Sequence, residues 1–468
     1  MKKNIFTLAT TGFMINLAVS TALAAHPELA KFGQIKFDAP DAPRYALANG
    51  LVVYIVKDNT LPVVHFSAYI KAGSAYDPAA KIGLAQLTAP LLRDGGTAKY
   101  KAEDIDKTLE YLGATLDTGA YTEETQAEMT ALRKDLDKAL DIYADVLRNP
   151  AFEEEKVKIA RDEVLELIRR RNDSPAKAAG REARRRFFGP ANPYGWRNEE
   201  ATINAITRAD LAAFHAAHFR PNNMILAVSG DFTSDEEALA KIKEKFGDWQ
   251  PAEVIKPAVP APDHQGGRQI YLVDKDVAQA SIVIVQKGVR RTDPANDAIT
   301  VLSDILGGGF QSRLFAEVRT KRGLAYSVGS YGASLREGGF LITSCGTKNE
   351  TYSQALSEML KQLGLVGSAP VTPEELERSK GSTINPFVFK FSTPHKLAVE
   401  RALEEYYGYE KGHLDNYVKA ISAVDAAAAQ AAGKLFDPSS AVIYVIGNSK
   451  KFDRPLSEFG PVTELKED

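Results

Sequence analysis

Residues 63–96 read VVHFSAYIKAGSAYDPAAKIGLAQLTAPLLRDGG, and residues 281–309 read SIVIVQKGVRRTDPANDAITVLSDILGGG. Both stretches run through the same order of signals. A β-rich run comes first, then a turn at Ala72-Gly73 or Lys287-Gly288, then Asp-Pro-Ala, then an apolar helix-like segment ending in glycines. The two Asp-Pro-Ala triplets begin at Asp77 and Asp293, 216 residues apart, and Ala139-Leu140 and Ala355-Leu356 repeat that offset. Two matches at one offset, in matching contexts, indicate a duplicated domain.

Outward from these stretches, residues 52–56 (VVYIV) and 442–446 (VIYVI) read as strands. Ile105, Leu109, Leu112 and Leu116, and then Leu136, Leu140, Tyr143 and Leu147, recur at helical spacing and read as core-facing stripes. The expected fold class is α+β: two homologous halves, each a mainly antiparallel sheet with helices packed on it. Between them, Pro251, Pro257, Pro260, Pro262, Gly266 and Gly267 mark a linker. The expected division is a leader at 1–24, a first half at 25–250, a linker at 251–267 and a second half at 268–468.

The 468 residues are 44% hydrophobic and 25% charged, enough apolar surface for sizeable cores and unlike a disordered chain. A net charge of −3 argues against a general polyanion binder, so no nucleic-acid partner is expected. Arg169, Arg170, Arg171, Arg181, Arg184, Arg185 and Arg186 cluster, but interleaved acids make a solvated helix surface the expectation there.

Lys2 and Lys3 precede a mostly apolar run from Ile5 to Leu23, closed by Ala22-Leu23-Ala24. This three-part pattern predicts export, with cleavage after Ala24, a periplasmic mature chain and no membrane anchor once the leader is removed. Cys345 is the single cysteine, so no internal disulfide or thiolate metal cluster is expected, and its setting reads as a strand core. His215 and His218 stand at i, i+3 without a convincing third ligand, and read as a half-exposed helix pair.

The segment 83–90 (GLAQLTAP), Asn192-Pro193-Tyr194-Gly195, residues 219–223 (FRPNN) leading to Gly230-Asp231, and Ser312-Arg313-Leu314 through Gly323-Leu324-Ala325-Tyr326 occur in one order on a two-half chain. Together they resemble the pitrilysin/insulinase family of zinc metallopeptidases, from about residue 37 to 447. In active members Gly-Leu-Ala is followed by His-x-x-Glu-His, with a further glutamate on a later helix. Two imidazoles and a carboxylate then hold Zn²⁺ with one position left for water, and the remaining glutamate takes the proton of that water.

Here the motif positions are Gln86, Ala89 and Pro90, and the resemblance places Glu166 at the third-ligand position. One carboxylate does not hold catalytic zinc, so Glu166 reads better as an ordinary helix carboxylate, and no metal or other cofactor is expected in this chain. Arg319 and Tyr326 match an Arg/Tyr pair that in the family reaches the peptide at the zinc. Gly307-Gly308-Gly309-Phe310 before them permits close backbone approach or a hinge, and resembles a glycine-rich segment of non-catalytic subunits. The resemblance therefore implies a zinc-free, substrate-contacting subunit, without catalytic residues of its own. Its partner would be a homologous exported subunit carrying the intact motif and the zinc, and its substrate unfolded peptides. The alternative is a degenerate homologue that acts as a scaffold or peptide-binding protein.

Overall fold

The apolar runs become the strands of two sheets in a computed structural model that describes residues 37–466; the leader expected at 1–24 lies outside the described residues. The first sheet uses β1 (Arg44–Ala46), β2 (Val52–Lys57), β3 (Val63–Ile70), β4 (Thr115–Ala120), β5 (Thr125–Leu132) and β6 (Met224–Gly230). The second uses β7 (Gln269–Asp274), β8 (Gln279–Lys287), β9 (Ala325–Ser334), β10 (Gly339–Lys348), β11 (Val442–Gly447) and β12 (Val462–Leu465). Their orders are β1-β2-β6-β3-β5-β4 and β12-β7-β11-β8-β10-β9.

Five strands superpose by connectivity, since β2, β6, β3, β5 and β4 correspond in order and direction to β7, β11, β8, β10 and β9. In each set the first pair is parallel and the other three are antiparallel. The duplication read from the 216-residue offset is thus a duplication of topology, and the mainly antiparallel α+β reading holds. The central strands β6 and β11 are buried along their whole length, which requires cover on both faces of each sheet.

That cover is exchanged between the halves. Helix Pro175–Phe188 of the first half packs on β8 and β11, and helix Pro394–Tyr406 of the second half packs on β2 and β6. Ala398, Ala402 and Tyr406 meet Tyr54, Tyr69, Ile225 and Ala227 of the first sheet. The exchange is fixed by polar contacts: Arg44 pairs with Glu405 at 2.6 Å, and His395 bonds Ser67 at 2.9 Å and Ser229 at 3.1 Å. A sheet with helices laid on it from its own half is therefore only part of the architecture, because each sheet borrows the cover of its second face. The arginine-rich helix departs from expectation for the same reason: Arg184 lies over the Phe340 ring and Arg186 over the Tyr271 ring, so these side chains are packed at the junction of the halves.

Residues 251–267 contain no helix or strand, and Asn192 donates to the Pro260 carbonyl while His264 Nε2 contacts the Ser440 carbonyl oxygen at 2.9 Å. Cys345 is buried in β10, and burial pushes its thiol up to about 12. His215 is buried, with Nε2 at 2.9 Å from the Leu147 carbonyl oxygen, and His218 packs against Phe214 and Tyr76. His215 is therefore core rather than half-exposed, whereas His218 at the end of the helix Arg208–His218 is half-buried, as expected. No helix among the described residues is long and apolar enough to cross a membrane.

Candidate functional site

The degenerate motif lies on the helix Leu84–Asp94, whose first turn is held by Asp77 of the repeated Asp-Pro-Ala triplet. Asp77 accepts the backbone N–H groups of Gly83 and Ala85, each at 2.8 Å, at the positive end of the helix. Burial pushes the Asp77 carboxyl up to about 7, and the two N–H donors oppose that shift. Gly83 enters the helix at φ +105°, and a side chain there would strike Ile203. Pro90 sits inside the helix and has no N–H to give the Gln86 carbonyl.

Gln86 is exposed and its side-chain oxygen accepts from the Asn198 amide. Ala89 is buried and Pro90 half-buried. Neither has a side-chain donor atom for a metal, and among the described residues no three His, Cys, Asp or Glu side chains are grouped to hold one. The residues present do not fit the zinc of the resembled family.

Two clefts open beside Gln86. One, of about 520 Å³, is lined by Tyr121, Tyr194, Trp196 and Asn198 together with Arg171, Arg181, Arg184 and Arg197. The other, of about 590 Å³, is lined by Pro90, Asp94, Asp106, Lys156, Ile159 and Glu163. They share Gln86, Ala120, Val164 and Leu167, so they form one groove along the C-terminal end of β4. Burial raises the Asp94 carboxyl, against Arg93, with Asp106 and Glu163 adding to the rise.

The wall opposite Gln86 is the helix Glu154–Arg169. Leu167 lines both clefts and Glu163 the one that holds Pro90, consistent with one face of a helix at i and i+4. Glu166 lines neither cleft. It is exposed, and its carboxylate pairs with Arg170 at 2.6 Å and Arg169 at 3.7 Å. The structure thus gives Glu166 the surroundings of an ordinary helix carboxylate and sets Leu167 across from Gln86. That face was readable from the spacing of Ala160, Glu163, Val164 and Leu167, but a search for carboxylates passes over a leucine.

Arg319 and Tyr326 are brought together on the second half. The Arg319 guanidinium lies 5.6 Å from the centre of the Tyr326 ring and 4.7 Å from that of Phe315. Residues Phe315–Thr320 form a π-helical turn, Gly323 reverses the chain at φ +62°, and Tyr326 stands at the start of β9, 77% exposed. Arg313 anchors this segment with two bonds to Glu375, at 2.6 and 2.7 Å, which hold that carboxyl down at about 2. Gly307 allows the preceding helix to end against β9, since any Cβ there would overlap Ser330. Among the described residues none of the second half lines either cleft at Gln86, and Arg319 and Tyr326 are therefore apart from the degenerate motif of their own chain.

Residues 52–187 match the model described as insulinase (peptidase family M16), and residues 205–382 match that of the peptidase M16 inactive domain. An uncharacterized zinc protease of Mycobacterium leprae is 30% identical over 333 residues, covering 69% of this chain and 73% of the relative. The chain belongs to the insulinase family of peptidases, family M16. As an M16 homologue it is of the non-catalytic type, in keeping with the missing donors at Ala89 and Pro90. An uncharacterized zinc protease of Streptomyces coelicolor is 28% identical, covering 69% of this chain and 72% of its own length. The crystal structure of a peptidase M16 inactive domain from Pseudomonas fluorescens matches with a TM-score of 0.81 and 25% identity, covering 89% of this chain and all of that one. A protease from Helicobacter pylori, 22% identical with a TM-score of 0.79 over 87% of this chain and 99% of its own, shares the M16 fold.

Proposed function

We propose that this M16 chain is the zinc-free, substrate-contacting subunit of a periplasmic, heteromeric zinc metallopeptidase that degrades peptides. Its partner is a homologous exported chain with an intact His-x-x-Glu-His site. The observation that carries the reading is the contrast between Ala89 and Pro90, which offer no metal donor, and the half-buried Arg319 with the exposed Tyr326, 5.6 Å apart and lining neither cleft at the degenerate motif. In such an assembly the Arg319 fork donates N–H groups to a peptide carbonyl. The Tyr326 phenol donates to the oxyanion that develops as the carbonyl is attacked.

The sheet edges suit an extended substrate. β4 and β9 end their sheets, and among the described residues neither has a strand partner on its outer side. Such an edge accepts a peptide by main-chain pairing, and the exposed Tyr121, Ile159 and Leu167 beside β4 supply apolar contacts for its side chains. Because the β4 groove belongs wholly to this chain, it also favours the second reading, a peptide-binding homologue that works without catalysis.

The test is to isolate the protein from its native compartment, sequence its N-terminus and assay peptide hydrolysis before and after separating any companion. The subunit reading expects a mature N-terminus at Ala25, a zinc-bearing companion and activity only in the joined pair. A chain that emerges alone and inert yet binds peptides leaves the second reading, and a chain that cleaves alone overturns both.

A further inference from the structure

The groove beside Gln86 is divided by charge. Among the described residues its first cleft is lined by four arginines and no carboxylate, within a protein whose net charge is −3. Its second cleft carries Asp94, Asp106 and Glu163 against a single Lys156.

The four arginines are not equivalent. Arg171 pairs with Glu199 at 2.8 Å, Arg181 with Glu182 at 2.8 Å, and Arg197 with both of those glutamates at 2.6 Å. Those three cations share two carboxylates and are held in place by them. Arg184 has neither a hydrogen bond nor an ion pair to any described residue; its guanidinium rests on the face of Phe340, 5.6 Å from the ring centre. A guanidinium stacked through its face keeps its edge N–H donors, and Arg184 is a half-buried cation without an anion. Burial lowers the Arg184 pKa, the Tyr331 phenol opposes that fall, and neighbouring Arg181 adds to it. Near this cation lie the Gln86 and Asn198 side-chain amides, bonded to each other through the Gln86 oxygen, so that the Gln86 amide N–H groups are left to a ligand, on walls that include Ile82, Val164, Leu167 and Ile168.

We propose that the arginine-lined cleft holds a carboxylate of a bound peptide, with Arg184 as its principal partner. The inference rests on the reading of this chain as a peptide-contacting protein and names the substrate class it prefers. The cleft begins where β4 ends, at Ala120, Tyr121 and Thr122, so a peptide paired along β4 delivers a residue directly into it. The former metal face of the M16 fold then serves as an anion site, in which fixed arginine donors hold the substrate group that would otherwise be drawn to a cation. The carboxylate comes either from the C-terminus of the peptide or from an aspartate or glutamate side chain.

The experiment measures binding of three fluorescently labelled ten-residue peptides of one uncharged sequence to the purified chain. One has a free C-terminal carboxylate, one is amidated with a single internal glutamate, and one is amidated with no acid. At least one acidic peptide is expected to bind tenfold or more tightly than the uncharged one, and the tighter of the two identifies the source of the carboxylate. Arg184→Gln is expected to bring that preference to within twofold, and Arg184→Lys to leave an intermediate preference. Because Arg184 also packs on Phe340, the wild-type salt dependence provides an independent measure. Raising NaCl from about 50 to 500 mM should weaken the acidic peptide at least fivefold and leave the uncharged one unchanged. If all three peptides bind alike, or Arg184→Gln keeps the preference, the anion site is overturned while peptide contact stands. If no peptide binds, the anion site falls together with the reading of this chain as a peptide-binding protein on its own, and the test of the subunit reading remains the activity of the joined pair.

Discussion

Tyr194 donates its hydroxyl to Glu123 Oε1 at 2.7 Å, and the same oxygen accepts the backbone N–H of Arg336 from the second half at 2.9 Å. Arg291 approaches the other oxygen at 3.6 Å, and the adjacent Glu124 accepts from Tyr407 at 3.1 Å. The first half thus contributes two buried carboxylates and the second half the cations and phenol that face them. Removing Glu123 leaves the Tyr194 hydroxyl, an N–H and a guanidinium without their shared acceptor.

Glu123→Ala is accordingly expected to destabilise the protein by about 2–4 kcal/mol, and Tyr194→Phe by about 1 kcal/mol. In a double-mutant cycle read by urea midpoints, the two effects should be markedly less than additive. Additive losses would show that the two groups do not act as one contact.

His395 binds the second half to the first through Ser67 and Ser229, and its ring lies 5.1 Å from that of His65. Burial, together with His65, pushes its pKa down to about 4 from an ordinary 6.5. Between those values the unfolded chain binds the proton and the folded chain does not. The stabilisation is therefore complete above pH 6.5 and is lost as pH falls toward 4. Compared with His395→Phe, the wild type should be more stable at pH 7.5, and the gap should narrow by at most about 3 kcal/mol by pH 4. Paired melts across that range check it, and a gap independent of pH would contradict the buried, neutral histidine.

Much of this architecture was legible in particular residues. The runs at 52–56 and 442–446 became β2 and β11, and the triplets at Asp77 and Asp293 occupy corresponding loops, where each aspartate accepts from nearby backbone N–H groups. What was not legible depends on pairing over long distances. The apolar faces of Pro175–Phe188 and Pro394–Tyr406 announce burial, but periodicity does not say against which sheet, and both cross to the other half. The arginines at 181–186 look solvated for that reason. Leu167 escaped because a chemistry-bearing pattern is sought among carboxylates, and a leucine does not announce which cleft it lines.

Arg319→Ala and Tyr326→Phe are expected to leave stability within about 0.5 kcal/mol of wild type, because Tyr326 is exposed and neither residue supports a core. In the assembled peptidase each should lower kcat about 100-fold, corresponding to a transition-state donor worth about 3 kcal/mol. Unchanged turnover of the complex with both variants would move the reading to a scaffold.

The wall facing the degenerate motif yields the sharpest geometric prediction. Restoring the motif with Gln86→His, Ala89→Glu and Pro90→His returns two imidazoles to the helix Leu84–Asp94, but Glu166 is turned away and tied to Arg170 at 2.6 Å. Leu167 is the residue that lines both clefts with Gln86. Adding Leu167→Glu to the triple variant should therefore raise zinc affinity at least tenfold, through a third ligand on the facing helix. Glu166→Gln in the same background should change affinity less than twofold. Competition with a chromogenic chelator measures both, and it also tests Glu163, the carboxylate that lines the cleft with Pro90. If Glu166→Gln abolishes zinc binding while Leu167→Glu adds nothing, the register of the helix Glu154–Arg169 against the motif is not the one described.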